Sequence, residues 1–139
     1  MKAAALRSWP RRLAAAMLLG LLTPHALFAH HSFAAEFDAS KPIVLTGTVS
    51  SLAWTNPHAR IDIDAADANG RATTWSFELS NPSAMARRGW SLDALAVGDR
   101  ITIRGYLAKD GSHSAKAISA TLRNGVEVYV GSNTPTDAQ

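Results

Sequence analysis

The side chains best suited to chemistry in this chain are its histidines: His25, His30, His31, His58 and His113. There is no cysteine, so thiolate nucleophiles, thiolate metal sites and disulfides are excluded. His30 and His31 follow Ala29, which has Leu27 two residues before it and Pro24 a few residues upstream. That order predicts a small-residue cleavage site after Ala29. A chain cut there begins at His30, with an α-amine beside its own imidazole. The two nitrogens can close a chelate ring on one metal ion. The α-amine titrates near pH 8 and imidazole near 6.5, so both are substantially available around neutrality. Nitrogen-rich sites without sulfur suit Cu(II) best among the common divalent ions, with Ni(II) and Zn(II) behind.

A chelate needs further donors. His31 and His58 are the candidate additional metal ligands. Glu36, Asp38 and His113 are candidates for extra ligands, or for acceptors that hold an imidazole tautomer. Plainer roles compete with each. His31 can be a solvated neighbour of His30, His58 a turn residue bonded to backbone, and His113 the surface residue of a Gly-Ser turn. Trp54, Trp75, Phe77 and Trp90 are expected in the core. Asp62 and Asp64 read as solvated strand charges, and Arg87-Arg88 as compensation at a helix C-terminus.

Known catalytic patterns are missing. There is no Gly-x-Ser-x-Gly elbow, no phosphate-binding Gly-x-x-x-x-Gly-Lys loop and no His-Glu-x-x-His helix. Glu36 and Glu78 are the only carboxylates that invite pairing, and nothing in the sequence places them together. No catalytic residue is assigned; oxidative copper chemistry stays open if an amino-terminal His chelate forms, although so small a domain leaves little surface for a substrate site.

The residues before His30 explain the charge of the whole. Lys2, Arg7, Arg11 and Arg12 precede an apolar run from Leu13 to Leu22, followed by Thr23-Pro24. This is the basic, apolar, small-residue order of a secretory signal, and the run is short of the roughly 20 residues a bilayer span requires. Residues 1–29 are therefore expected to be a cleaved signal peptide, with the mature protein periplasmic and without a stable membrane anchor. The chain has 14 Lys+Arg against 11 Asp+Glu. Removing the four basic signal residues leaves ten against eleven, a formal charge of −1. A nucleic-acid partner, which needs clustered basic side chains, is not expected.

The elements that must position the histidines read as strands. Ile43–Trp54 is rich in β-branched residues, with Gly47 as a bend or bulge. Ala59, Ile61, Ile63 and Ala65 alternate with polar neighbours, as do Thr73, Trp75, Phe77 and Leu79. Asp67–Gly70 supplies a hairpin turn between them. Asn81 as N-cap, Pro82 as first helical residue and Gly89 as stop predict a short helix. Leu92, Leu95 and Val97 are expected inward. Strands follow at Arg100–Tyr106, Ala115–Leu122 and Val126–Val130, turned by Lys109–Ser112 and Asn124-Gly125.

Three strands, a short helix and two strands is the order of the OB fold. The expected fold class is thus all-β with one short helix, an OB-fold-like Greek-key barrel of five to six strands, with a small β-sandwich as the alternative. The expected organisation is an amino-terminal arm at 30–42, the barrel domain at 43–130 and a flexible tail at 131–139. His58 falls in the loop between the first two strands and His113 in the loop between the fourth and fifth. In an OB fold those loops flank the usual binding face, so the arm would fold back onto that face to join them.

Two resemblances bear on this. An amino-terminal His chelate completed by a second imidazole is similar to the histidine brace of some periplasmic copper carriers and copper oxygenases. Separately, His30-His31-Ser32-Phe33-Ala34-Ala35-Glu36-Phe37-Asp38 and Trp54-Thr55-Asn56-Pro57-His58, with Glu78, Gly89-Trp90 and Gly98-Asp99 further on, resemble a family of small exported proteobacterial proteins known only as a domain of unknown function. That resemblance implies export and an OB-like shape and supplies no reaction; His113 is outside its pattern. Two functions follow as expectations: a periplasmic copper carrier or sensor using His30, His31 and His58, or a metal-free OB-type module that binds an envelope protein partner or a small ligand.

Overall fold

The computed structural model describes residues 33–66 and 69–131. The expected signal peptide at 1–29, His30, His31, part of the expected turn at 67–70 and the expected tail beyond Gly131 lie outside the described residues.

The elements in chain order are a one-turn helix α1 (Phe33–Glu36), β1 (Phe37–Ala53), β2 (Arg60–Ala66), β3 (Ala72–Glu78), α2 (Pro82–Arg87), a 3-10 turn (Leu92–Ala94), β4 (Arg100–Ala108), β5 (Ser114–Thr121) and β6 (Glu127–Tyr129). The strand order is β3-β2-β1-β4-β5-β6. β3 also runs parallel to β5, pairing Ser76 with Ser114, Phe77 with Ala115 and Glu78 with Lys116. That contact closes five strands into a ring with OB-fold connectivity, helix α2 lying between β3 and β4. Closure rests on three residue pairs, so the ring is not a regular barrel. The β3–β5 contact sets the sandwich alternative aside. β6 takes up the edge of β5 beyond β3, pairing at Ser119, Ala120 and Thr121.

The period-two patterns become the core. Ala59, Ile61, Ile63 and Ala65 are all buried, as are Phe77, Leu79, Ile101 and Ile103. Trp90 is buried against half-buried Trp54, with ring centroids 5.9 Å apart. The long β1 serves two neighbours in succession, β4 up to Thr48 and β2 from Thr48 onward. Gly47 makes the switch possible: a Cβ there would sit 2.6 Å from the carbonyl oxygen of Asp64. At the expected short helix, Asn81 Oδ1 accepts from the Ala84 N–H at 2.7 Å, Pro82 opens the first turn, and Gly89 stops it at φ 86°.

Three expectations are corrected. The arm assigned to 30–42 gives up its second half: β1 begins at Phe37. The polar run Asp38–Lys41 reads as a linker, yet Phe37 is buried, and the strand bulges between Phe37 and Pro42 to keep its pairing with β4. Val97 is 64% exposed rather than inward. It occupies the turn in which Asp99 N–H bonds Ala96 C=O and Gly98 takes φ 95°, and the turn carries its side chain outward. Gly131 belongs to the domain and not to a loose tail. It is buried, its N–H donates to Ile118 C=O at 3.0 Å, and its carbonyl accepts from Arg88.

Candidate functional site

The β2–β3 ladder continues past its formal ends, with Leu79 N–H bonded to Ala59 C=O and Ala59 N–H to Ser80 C=O. Arg60 is directly opposite Glu78, so His58 is the diagonal neighbour of Glu78 on the same face. There His58 Nδ1 lies 2.8 Å from Glu78 Oε1, with the imidazole about one-third exposed. From the other side Lys116 Nζ reaches the same oxygen at 2.6 Å, and the Leu79 carbonyl at 3.4 Å. Lys116 is 7% exposed. A buried ammonium thus holds one carboxylate, and that carboxylate holds one imidazole.

Lys116, like Glu78, is a member of this candidate site that the sequence-predicted site residues do not include. Its signal is a single cation in the otherwise small and apolar run Ala115–Ala120, on the face opposite Ala115 and Ala117. What makes it legible is the parallel register with Glu78, a contact spanning 38 positions.

Glu78 being occupied, Arg60 turns elsewhere. Its guanidinium donates to Ser76 Oγ at 3.1 Å, and Ser76 Oγ donates to Asp62 Oδ1 at 2.7 Å. Asp64 likewise accepts from Thr74 at 2.7 Å. Asp62 and Asp64 are therefore members of cross-strand hydrogen-bonded pairs, more than solvated charges. Arg88 has a role beyond dipole compensation, lying over the Tyr129 ring 5.6 Å from its centroid.

Beside this face lies a cavity of about 550 Å³, lined by Arg60, Ser76 and Glu78 on the sheet, by Glu36 at the end of α1 and by Lys109 and Asp110 beyond β4. Glu36 and Glu78, which the sequence does not bring together, share its wall. α1 is fixed there by Lys109, whose N–H bonds Glu36 C=O at 2.9 Å and whose Nζ bonds Ala34 C=O at 2.5 Å. Phe33 adds ring contacts with Phe37 at 5.8 Å and Tyr106 at 5.7 Å.

The remaining candidates go elsewhere. Asp38 Oδ1 accepts from the Ser40 N–H at 3.0 Å and the Ser40 hydroxyl at 2.6 Å, and Lys41 lies 3.6 Å from its other oxygen. Those Ser40 bonds, helped by Lys41, hold its carboxyl below the usual aspartate value. His113 is exposed and lies on Trp75, with centroids 4.9 Å apart. Trp75 is three positions from Glu78 and so belongs to the other face of β3. His30 and His31 lie outside the described residues. Among the described residues, no three His, Asp or Glu side chains converge in a metal-binding group.

Fold and site together define a small β-ring domain of OB connectivity carrying a Lys-Glu-His relay beside a polar cavity. The chain belongs to a family of unknown function, DUF6152, whose model matches residues 20–117. The match takes in His58, Glu78 and Lys116. Comparison with curated proteins and with solved structures gives no match.

Proposed function

We propose that this chain is a periplasmic metal-binding protein, a copper carrier or sensor, exported by a signal peptide removed after Ala29. It binds Cu(II) through the amino-terminal chelate of His30, the imidazole of His31 and the imidazole of His58. The observation that carries this reading is the 2.8 Å contact between His58 Nδ1 and Glu78 Oε1. Metal-bound histidines characteristically give their other ring nitrogen to a carboxylate, which fixes the tautomer and raises ligand basicity. With Nδ1 held by Glu78, Nε2 is the atom through which His58 takes a metal ion.

The root of the arm supports the same reading. Phe33 is held on Tyr106, Tyr106 pairs with Lys116, and Lys116 pairs with Glu78. Tyr106, on which the root of the arm rests, is thus two strands from Glu78 through β5. Asp38 and His113, committed to Ser40 and Trp75, are not in the proposed ligand set.

The test is native intact-mass spectrometry of untagged protein recovered from periplasm, repeated for His58→Ala. The expected wild-type mass begins at His30 and carries one copper, and the variant loses it. A different start, or a correct start that stays metal-free after copper is supplied, overturns the proposal.

A further inference from the structure

The cavity beside the relay has charges that the relay does not use. Its carboxylates are engaged: Glu78 by Lys116 and His58, Asp110 by the backbone N–H of Ser112 at 2.9 Å, and Glu36 by a partner of its own. Its two cations are anchored on neutral oxygens. Arg60 donates to Ser76 Oγ and Lys109 to Ala34 C=O, and among the described residues neither makes an ion pair. Both are exposed. Buried Lys116 lies behind the wall, where its charge offsets that of Glu78.

The two cations stand on different walls. Arg60 is on β2, and Lys109 leaves the end of β4. Across the face, Arg60 pairs with Glu78, Glu78 with Lys116, and Lys116 with Tyr106. In the ring, β1 lies between β2 and β4 on one side, and β3 with β5 on the other. Both cations line a volume of about 550 Å³, within the size range of small-molecule sites. Ser76 and Ser114 line it from the sheet and Ala108 and Ala115 from the strand ends, so small side chains leave the interior open.

We infer that this cavity is a binding site for a small organic dianion with a carboxylate at each end. One carboxylate meets the guanidinium of Arg60, whose planar fork matches it. The other meets Lys109 Nζ. Arg60 is preorganised for this role, because the Ser76–Asp62 relay holds the guanidinium before ligand arrives. With its two cations on separate walls, the site favours a ligand with two charged ends over one small anion.

The test is isothermal titration of metal-free protein at low salt with acetate, inorganic phosphate and the linear dicarboxylates from succinate to adipate. The expected result is saturable binding of at least one dicarboxylate, at least about tenfold tighter than acetate or phosphate. Arg60→Gln and Lys109→Gln each weaken it by about tenfold or more, the loss of one charge-assisted hydrogen bond. Arg60→Lys keeps the charge without the fork and falls between. Both positions are exposed, and a thermal melt confirms that the variants fold. No saturable dicarboxylate binding, equal binding of acetate or phosphate, or unchanged affinity in both glutamine variants overturns the inference. Copper is absent from this titration, so its outcome and that of the copper test are independent.

Discussion

Replacing Glu78 by Gln should unbalance the molecule more than any other single change of one atom type on this face. The substitution keeps shape and removes the charge that Lys116 relies on. Lys116 is 7% exposed, and without the carboxylate it is left with neutral oxygens alone, the glutamine amide and the Leu79 carbonyl, 3.4 Å away in the wild type. An ammonium buried without its counter-charge costs roughly 3–5 kcal/mol. Glu78 is itself 20% exposed, so some water reaches the pair, and the low end, about 3 kcal/mol, is the better expectation. For a domain of this size that lowers Tm by about 12–24 °C. Lys116→Met leaves Glu78 bonded to His58 and open to solvent, so it should cost about 1 kcal/mol or less. The double variant, with no buried charge, should recover most of the loss. Urea unfolding of the four proteins at pH 7 measures all three differences. Glu78→Gln within 1 kcal/mol of wild type, or Lys116→Met more damaging than Glu78→Gln, would refute the view that a buried cation dominates this seam.

Other consequences are open to direct measurement. Gly105→Ala places a Cβ 2.2 Å from the Lys116 carbonyl oxygen, and the three nearest atoms are all backbone, so a loss of about 3 kcal/mol in urea unfolding is expected, at the upper end of overpacking costs. Ser40→Ala removes the largest cause holding the Asp38 carboxyl down, and an NMR titration should find it closer to 3.8. Because that carboxyl titrates lower folded than unfolded, its contribution to stability is present at neutral pH. It is lost as pH falls below 3.8 through the folded value, and Ser40→Ala shrinks it.

Much of the fold is written locally. Alternation at 59–65 and 73–79 gives β2 and β3, and Asn81-Pro82 with Gly89 gives α2, because each rests on neighbours a few positions apart. Those elements in that order also indicate the ring. The first residues of β1 are hidden for the opposite reason. Asp38–Lys41 has the composition of a linker, and only the pairing of Phe37 and Pro42, on either side of it, with β4 residues 71 and 64 positions later carries the strand through. Val97 follows the same logic, since hydrophobicity predicts burial and turn geometry decides against it. At the site, His58 is visible as a histidine after Asn-Pro, but what holds it is not. Glu78 and Lys116 meet across the ring, and their pairing depends on a register that no local pattern reports.

The position of that pairing has a further consequence. The ring is fastened along β3 and β5 by three residue pairs, and Glu78–Lys116 is one of them. The contact that orients His58 is therefore also part of the fastening. Local opening of the ring at this seam would release Lys116 to water and disengage the imidazole in one event. Anything that binds only the closed arrangement of His58 then stabilises the closed ring by mass action. The amides that cross the seam, such as that of Ser76, which donates to His113 C=O, are where such a ligand would register as slowed hydrogen exchange. Occupancy of a site that uses the held imidazole would thus be coupled to closure of the fold through the Glu78–Lys116 salt bridge.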